Sequence, residues 1–469
     1  MILAFKSFSG TPYLYDSKDN EIYKVDAPVY SAVAEAGGQI SRIKDAEIRK
    51  KCETAGIVDT ALPMQTPEAF EKENAASGIG FTKLTLGISH GCNLRCKYCI
   101  YSGVFPSERT HENKLMTKET ADKIVDEFFL TRNQDRPKAV IFYGGEPLTN
   151  FPIVQHVVER IKKMGVSVVF SMTTNGILLA QDQVLDFLAG NNFLINISFD
   201  GPVQDVVRVD TEGKGTFQRL MDVIEKISRK YPAFYKSNVS FNVTVTAATN
   251  LPETVKFFHA SPLFRGKTLN IIRNYDEDNL YCRKYDFVEN EKLLTKEFEA
   301  LRLEYPKIYK DNPPFHNGCF IQAMASINKR AMGNKGYLPL NSCCYPGMNS
   351  AYVDIDGTVC ACERTEHVSI GHMSKAAIDA KLVEDVVRRY YEIARKHCPK
   401  CWAARLCPKC FSHVKRGAIN EENFLEYCDK FRASTLRMLE LFVTIKEQDP
   451  AAFNDIKLVA LDGEPGKNI

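Results

Sequence analysis

The sequence predicts an α/β protein built around a parallel β-sheet that is covered by helices. Between residues 80 and 305, short apolar runs rich in β-branched residues alternate six times with amphipathic stretches of helical period. Such a pattern is typical of an α/β barrel or a doubly wound sheet, because both faces of a parallel sheet are buried. In either fold, ligands bind at the carboxyl ends of the strands.

Six strand–helix units follow one another in this region. The predicted strands are FTKLTLGIS (81–89), KAVIFYGG (138–145), VSVVFSMTT (166–174), FLINISFDG (193–201), NVSFNVTVT (238–246) and TLNIIRN (268–274). The helices that follow them are KETADKIVDEFFL (118–130), IVQHVVERIKKMG (153–165), QDQVLDFLAG (181–190), TFQRLMDVIEKISRK (216–230), LPETVKFFHA (251–260) and ENEKLLTKEFEALRLE (289–304). Unusual residues collect where the first four strands end: three cysteines, then GGEP (144–147), TTNG (173–176) and SFDGP (198–202).

Composition excludes several classes of protein. The 469 residues carry a net charge of only +3, with basic and acidic residues interspersed, so we expect no nucleic-acid partner. No apolar run approaches the ~18 residues that a membrane span needs, and the N-terminus becomes polar too early for a signal peptide. We therefore expect a cytoplasmic protein that does not bind membranes.

Fifteen cysteines need an explanation in a reducing compartment, where structural disulfides do not persist. Most of them are clustered, which indicates metal binding. Cys92, Cys96 and Cys99 are spaced C-x3-C-x2-C, and three thiols leave one position of a tetrahedral zinc site to be filled from elsewhere. Cys52 and Cys282 stand alone, and we interpret them as small buried hydrophobic residues.

Taken together, the cysteine trio, GGEP, TNG and SxDG resemble the motifs of the radical S-adenosylmethionine (SAM) superfamily, which has a six-unit partial (β/α) barrel. The resemblance covers about half of the chain. It implies that the three thiolates bind three irons of a [4Fe–4S] cluster and that the fourth iron chelates the amino and carboxylate groups of SAM. A zinc site with a distant fourth ligand is the alternative, but it explains none of the other strand-end motifs.

The same resemblance implies roles for further residues around SAM. They are Tyr98 near the adenine, Gly144, Gly145 and Glu146 at the methionyl amino group, Ser171 and Asn175 at the ribose, and Ser198 and Arg208 at the carboxylate. For any one of these polar residues, a cap at the end of a strand is the alternative role. No spacing in the sequence selects a general base.

A second group of cysteines lies beyond residue 343. CYPGMNSAYVDIDGTVCAC (344–362) and CPKCWAARLCPKC (398–410) resemble the SPASM extension of radical SAM enzymes, which binds two auxiliary [4Fe–4S] clusters. The usual final spacing is C-x3-C, whereas this chain has C-x2-C. By that pattern one cluster is held by Cys398, Cys401, Cys407 and Cys428, and the other by Cys344, Cys362 and Cys410. The fourth ligand of this second cluster is Cys343, Cys360 or Cys319, or the position is open. For residues 398–410, a zinc ribbon is the alternative.

The first eighty residues resemble the winged-helix-like leader-peptide recognition domain of peptide maturases. PYLYDSKDNEIYKVD (12–26) predicts two short strands, and APVYSAVAEAG (27–37) and SRIKDAEIRKKCETAG (41–56) predict helices closed by glycine. A plain cap on the barrel is the alternative. FEKENAASGIG (70–80) is interpreted as a linker.

These features predict five segments: a leader-peptide recognition domain (1–78), a radical SAM partial barrel (79–310), a bridging segment (311–342), a SPASM domain (343–440) and a C-terminal tail (441–469). The resemblance implies a peptide maturase that uses a 5′-deoxyadenosyl radical, with a precursor peptide and an electron donor such as flavodoxin or ferredoxin as partners. An auxiliary cluster without a fourth protein ligand favours thioether formation from a substrate cysteine. Alternatives are carbon–carbon crosslinking, formylglycine formation in a sulfatase, a small-molecule radical enzyme, and a non-catalytic iron–sulfur electron carrier.

Overall fold

The computed structural model describes residues 1–76, 81, 83–106, 108–131, 138–274, 280–340, 344–366, 368–410 and 420–456. The chain divides into two compact units. The first is formed by described residues within Met1–Ile79, Gln322–Met348 and Ala380–Leu458, and the second by described residues within Gly80–Ile321 and Asn349–Asp379.

The first unit begins with a three-stranded antiparallel sheet in the order β1 (Ile2–Lys6), β2 (Pro12–Asp16) and β3 (Glu21–Lys24). The sequence predicts β2 and β3, whereas β1 was not predicted. Three helices follow: α1 (Ala27–Glu35), α2 (Ala46–Thr54) and α3 (Pro67–Ala76). The carboxylates of Asp26 and Asp45 cap α1 and α2, which is why these helices begin where they do.

The segment interpreted as a linker is largely helical. Thr66 accepts a hydrogen bond from the Ala69 N–H at the start of α3, and Pro67 occupies the first helical turn, where its missing N–H costs nothing. Phe70 is buried and its ring lies 5.5 Å from that of Tyr345. The linker interpretation was therefore wrong for residues 70–76, because a tertiary contact of Phe70 stabilises a polar helix.

The second unit contains the predicted parallel sheet. All six predicted strands are present: β4 (Lys83–Ser89), β5 (Ala139–Gly144), β6 (Val169–Thr174), β7 (Leu194–Ser198), β8 (Val239–Val245) and β9 (Leu269–Arg273). Each pairs in parallel with the next along the chain. The carboxyl ends of β4 to β8 therefore meet at one edge of the sheet.

Helices cover this sheet, and all six predicted helices are confirmed. The helices are α4 (Lys118–Val125), α5 (Phe151–Lys163), α6 (Asp182–Gly190), α7 (Gln204–Val207), α8 (Phe217–Lys230), α9 (Pro232–Asn238), α10 (Leu251–Ala260), α11 (Leu280–Lys284), α12 (Val288–Ile308) and α13 (Pro314–Asn328). A π-helical segment, Asp126–Thr131, continues α4. The boundary between the two units falls within α13, after Ile321. In α8, the buried residues Leu220, Val223, Ile224 and Ile227 recur at helical spacing and form one apolar face.

Three short strands that the sequence did not predict extend the sheet. They are β10 (Ser350–Val353), β11 (Thr358–Cys360) and β12 (Ser369–His372), and β10 pairs in parallel with β4. In the described ranges, the sheet thus has nine strands in the order β12-β11-β10-β4-β5-β6-β7-β8-β9. A contact between His90 and Asp354, 2.9 Å apart, joins the segments that follow β4 and β10.

The first unit ends in α14 (Ala380–His397), α15 (Glu421–Glu426) and α16 (Cys428–Gln448). The predicted boundary between residues 440 and 441 falls inside α16. Thr444 and Glu447 on this helix accept hydrogen bonds from the Phe8 N–H and the Tyr13 hydroxyl, so α16 is tied to the N-terminal sheet. Among the described helices, none has the length and apolar character needed to cross a membrane.

A substitution at Gly87 on β4 can test how closely Tyr352 of β10 packs against β4. A Cβ at this position would lie 2.1 Å from the hydroxyl oxygen of Tyr352, a fully buried residue of β10. We expect Gly87→Ala to lower the free energy of unfolding by about 1–3 kcal/mol, because a well-packed interior has no room for an extra methyl group. Thermal unfolding measures the change. Gly190→Ala, at an α6 position with nothing within 4 Å of the new Cβ, is the matched control and should not be destabilised; equal stability of the two variants would contradict the packing described.

Candidate functional site

The three cysteines of the trio lie in the loop that follows β4. The N–H groups of Arg95 and Lys97 donate to the carbonyls of Val209 (2.7 Å) and Val207 (2.8 Å), which fixes this loop against the segment that carries Arg208. All three thiols are half-buried. The loop therefore presents its sulfur atoms at the carboxyl edge of the sheet.

The charges of the three thiols interact. Burial raises the pKa of Cys92 to about 12, and the charges of Glu146, Cys96 and Cys99 contribute. Burial also raises the pKa of Cys96 to about 11, against the opposing effect of the Arg208 guanidinium. Thiols whose negative charges repel one another suit a cationic group, since metal binding removes their protons. Within the described residues, no three His, Cys, Asp or Glu side chains converge on a single metal ion; cluster thiolates need not do so, because each binds a different iron.

Glu146 joins the ends of two neighbouring strands. Its side chain is 1% exposed; Oε1 accepts from the Leu148 N–H (3.1 Å) and the Thr174 hydroxyl (2.7 Å), and Oε2 accepts from the Asn175 N–H (2.7 Å). Burial raises the pKa of Glu146 to about 7, and these hydrogen bonds oppose that rise. Each carboxylate oxygen has room for two hydrogen bonds, so Oε2 can still receive an amino group.

The two glycines before Glu146 do allow a close approach, but to the chain's own backbone. A Cβ on Gly144 would lie 2.3 Å from the Ser89 carbonyl oxygen, and one on Gly145 would lie 2.3 Å from that of Gly91. The Gly145 N–H donates to Ser89 (2.7 Å) and the Glu146 N–H to Gly91 (2.9 Å). GGEP therefore positions the residues that lead into the cysteine loop. Its contact with SAM stays a prediction.

Asn175 connects TTNG to the cysteine loop. Its Nδ2 donates to Asn93 Oδ1 (2.7 Å) and lies 3.8 Å from the sulfur of Cys92. Its Oδ1 accepts from the Ile177 N–H (3.1 Å), which fixes the orientation of the amide. Ser171 lies half-buried on β6, and Ser198 lies half-buried at the end of β7.

Asp200 is a site residue that the sequence reasoning missed. It accepts hydrogen bonds from the Tyr98 hydroxyl and from the Arg208 Nε, both at 2.7 Å. Asp200 lies inside SFDGP, so its position at a strand end was visible, but its partners were not. The structure thus brings Tyr98, Glu146, Asn175 and Arg208 to the same edge of the sheet as the cysteine trio.

A second polar group that the sequence did not select lies beside Cys99. The Tyr101 hydroxyl donates to Glu366, whose carboxylate also lies 3.3 Å from Arg109 Nε. The Arg109 guanidinium stacks 3.6 Å above the Tyr101 ring. Glu363 Oε2 is buried and accepts no hydrogen bond in the part of the chain that the structure describes. A carboxylate of this kind is a candidate to receive a proton from a substrate.

The first unit contains a cavity of about 620 Å³ that is lined by Cys398, Cys401, Cys407 and Cys428. Burial raises the pKa of Cys398 to about 12, and the charges of the other three cysteines contribute. Lys409 is 2% exposed, and its ammonium lies 3.3 Å from the sulfur of Cys428. Four cysteines that line one cavity, with a cation to offset the charge of their thiolates, fit the iron–sulfur cluster that the sequence predicts there.

The other predicted auxiliary ligands are divided between the units. Cys344 and Cys410 belong to the first unit and Cys362 to the second, so their grouping stays a prediction. Cys360 is buried on β11, where its thiol lies 3.5 Å from the Glu366 carbonyl oxygen. Burial raises the pKa of Cys319 well above its usual value. Cys343 lies outside the described residues. Cys52 and Cys282 are buried, as predicted.

Comparison with known proteins shows which sequences this chain resembles. Residues 86–248 match the Radical SAM superfamily. The chain is 26% identical over 364 residues to the cysteine-type anaerobic sulfatase-maturating enzyme of Clostridium novyi (strain NT), covering 74% of this chain and 91% of that protein. It is 27% identical over 171 residues to the radical SAM cyclopropyl synthase TigE of Paramaledivibacter caminithermalis (strain DSM 15212 / CIP 107654 / DViRD3), covering 34% of this chain and 35% of that protein.

A similar fold is found in the solved structure of native anSMEcpe with bound AdoMet. The TM-score is 0.55 at 21% identity, and the match covers 80% of this chain and 100% of that one. The sheet, the position of the cysteine loop and the matched residues lead to one conclusion. The chain carries a radical SAM domain at residues 86–248 and is homologous to the anaerobic sulfatase maturases.

Proposed function

We propose that this radical SAM enzyme is a peptide maturase that joins the sulfur of a substrate cysteine to a carbon of the same peptide. Residues 92–99 and the end of each strand from β5 to β8 would form the SAM site, and the cysteine-lined cavity would hold an auxiliary cluster. When bound, the clusters and SAM would supply a 5′-deoxyadenosyl radical that takes a hydrogen atom from carbon, and would accept the surplus electron.

This chain's own residues would position SAM around that chemistry. Oε2 of Glu146 would accept its second hydrogen bond from the methionyl amino group, and Arg208 would receive the carboxylate through its guanidinium. Tyr98 and Asn175 are held by Asp200 and Asn93, so their side chains are oriented before the cofactor binds. Glu363 is the candidate to accept the proton that leaves the substrate.

The observation that carries the peptide proposal is the open edge of β3. In the part of the chain that the structure describes, β3 pairs with β2 alone. The Val25 N–H donates to Pro12 on β2 (3.1 Å), and the direction alternates along a strand, so the Lys24 N–H points away from β2. An extended leader peptide can add a strand to such an edge through main-chain hydrogen bonds.

Formylglycine formation in a sulfatase is the second candidate function. The observation in its favour is the match to a sulfatase-maturating enzyme along 91% of that protein. The reaction products separate the two candidates. Thioether formation removes two hydrogen atoms from a precursor peptide and consumes its thiol, whereas formylglycine formation leaves an aldehyde on a sulfatase-derived cysteine peptide. Mass spectrometry of both peptides after incubation with the reduced enzyme and SAM therefore tests the proposal; an aldehyde in the sulfatase peptide alone would overturn it.

The cysteine trio can be tested by iron content. Replacing Cys92, Cys96 and Cys99 together with Ala should remove about four irons per chain and abolish 5′-deoxyadenosine formation, because the trio would hold one [4Fe–4S] cluster. The fold should remain, since the loop lies at the ligand-binding end of the strands. Iron analysis and circular dichroism measure both effects. Cys52→Ala, in the apolar core formed within residues 2–57, is the control and should keep its iron. The same iron content in the triple variant would refute the assignment.

The open edge of β3 can be tested without deleting residues 1–76. A deletion would expose the α16 face that Phe8 and Tyr13 contact, so a substitution is cleaner. Lys24→Pro removes one outward N–H and leaves the bonds to β2, because proline is tolerated at strand edges. We expect it to weaken binding of a fluorescently labelled precursor peptide by about tenfold, as measured by fluorescence anisotropy. Lys24→Ala keeps the N–H and is the matched control. Equal weakening by both variants would implicate the side chain instead of the strand edge.

A further inference from the structure

The Asp200 carboxylate accepts four hydrogen bonds at the candidate site. Asp200 is 1% exposed and follows the end of β7. Its Oδ2 accepts from the Tyr98 hydroxyl and from Arg208 Nε, both at 2.7 Å. Its Oδ1 accepts from the Thr244 N–H (2.8 Å) and from Arg208 Nη2 (3.3 Å). One carboxylate therefore joins the cysteine loop, the end of β8 and the segment that carries Arg208.

These contacts fix which edge of the Arg208 guanidinium faces Asp200 and which faces the cysteine loop. Asp200 binds the edge formed by Nε and Nη2, and Nη2 also lies 3.4 Å from the Thr244 hydroxyl. The remaining nitrogen, Nη1, lies 3.9 Å from the sulfur of Cys96. A planar guanidinium held along one edge cannot rotate, so Nη1 stays directed toward the cysteine loop.

Stability alone does not account for this pair. Arg208 is 7% exposed and Asp200 is 1% exposed, so both charges are removed from water. A buried ion pair roughly balances its desolvation cost against its attraction, and apolar residues of similar volume often stabilise a fold as well or better. The pair is better explained by what the guanidinium does at the site.

We propose that Asp200 is a positioning residue that acts through Arg208, holding Nη1 where it can receive the carboxylate of SAM beside Cys96. This inference rests on the proposed function, in which Arg208 binds that carboxylate. The role assigned to Asp200 concerns orientation and affinity. It predicts that Asp200 matters most for ligands that carry the carboxylate, and that its effect on the carboxylate requires Arg208.

Asp200→Asn tests the proposal by ligand binding to the anaerobically reconstituted full chain. We expect the dissociation constant for SAM to rise about 10–100-fold, the usual cost of losing a partner that orients a ligand-binding side chain. Methylthioadenosine has the adenosine and the sulfur but no carboxylate, so its dissociation constant should change less than about twofold. Iron content should match that of the wild type. Equal weakening of both ligands would overturn the proposal, because Asp200 would then act through Tyr98 or through the fold.

A matched control breaks an Asp–Arg pair outside the site. Asp126 pairs with Arg160 on the helices that cover the sheet, and both side chains are partly exposed. Asp126→Asn should leave the affinity for SAM unchanged. If it weakens SAM binding as much as Asp200→Asn does, the effect is general and the proposal fails.

A double-mutant cycle isolates the route through Arg208. Arg208→Gln should weaken SAM binding, and adding Asp200→Asn to it should change the affinity no further. Asp200→Asn alone could fail to fold, because it leaves Arg208 without a counter-charge. In that case the SAM affinities of Arg208→Gln and of the double variant are compared. A lower affinity in the double variant overturns the proposal, and equal affinity supports it. The two single variants also distinguish the proposed SAM site from the proposed role of Asp200. Unchanged affinity in Arg208→Gln refutes the proposed SAM site itself, whereas weakening by Arg208→Gln with none by Asp200→Asn refutes the role of Asp200 alone.

Discussion

The close approach of two strand ends is the constraint on which the candidate site depends. The backbone of Gly144 and Gly145 lies so near Ser89 and Gly91 that neither position has room for a Cβ. Two main-chain hydrogen bonds cross this contact and fix the residue before Cys92. Because the cysteine loop starts at that point, the position of its first cysteine, Cys92, depends on a backbone contact that only glycine permits.

Buried charge is the second property that organises the site. Glu146 and Asp200 are almost completely shielded from water, and each receives several hydrogen bonds from neighbouring strand ends. An unpaired carboxylate at this depth would be very costly, so the surrounding donors hold each one in a single orientation. The same low exposure strengthens the electrostatic interaction of each carboxylate with its neighbours, such as that of Asp200 with Arg208. Rigidity and electrostatic strength thus have one physical origin.

The first unit also places cysteine thiols close to a buried charged side chain. Four cysteines line one cavity, and the buried Lys409 lies close to Cys428 and 3.3 Å from the centre of the Phe424 ring. The ring and the thiol both stabilise the cation, which in turn offsets the negative charge of the sulfur atoms. In the same unit, α16 joins the N-terminal sheet through Thr444 and Glu447. The segment from Cys428 to Glu447 therefore connects the cysteine-lined cavity with the three-stranded sheet.

The sequence by itself determined the six strand–helix units and the positions of the chemically unusual residues at the strand ends, because apolar periodicity and strand-end motifs are local in the chain. Only the tertiary structure decided that β10 pairs with β4, that Phe70 makes a helix out of a polar segment, and that Asp200 rather than another acidic residue holds Arg208. The strands β10 to β12 are three or four residues long and carry little periodic signal. Asp200 gained its role from Tyr98, Arg208 and Thr244, which come from separate parts of the sequence. These are long-range tertiary contacts, and local sequence patterns do not predict which distant segments come into contact.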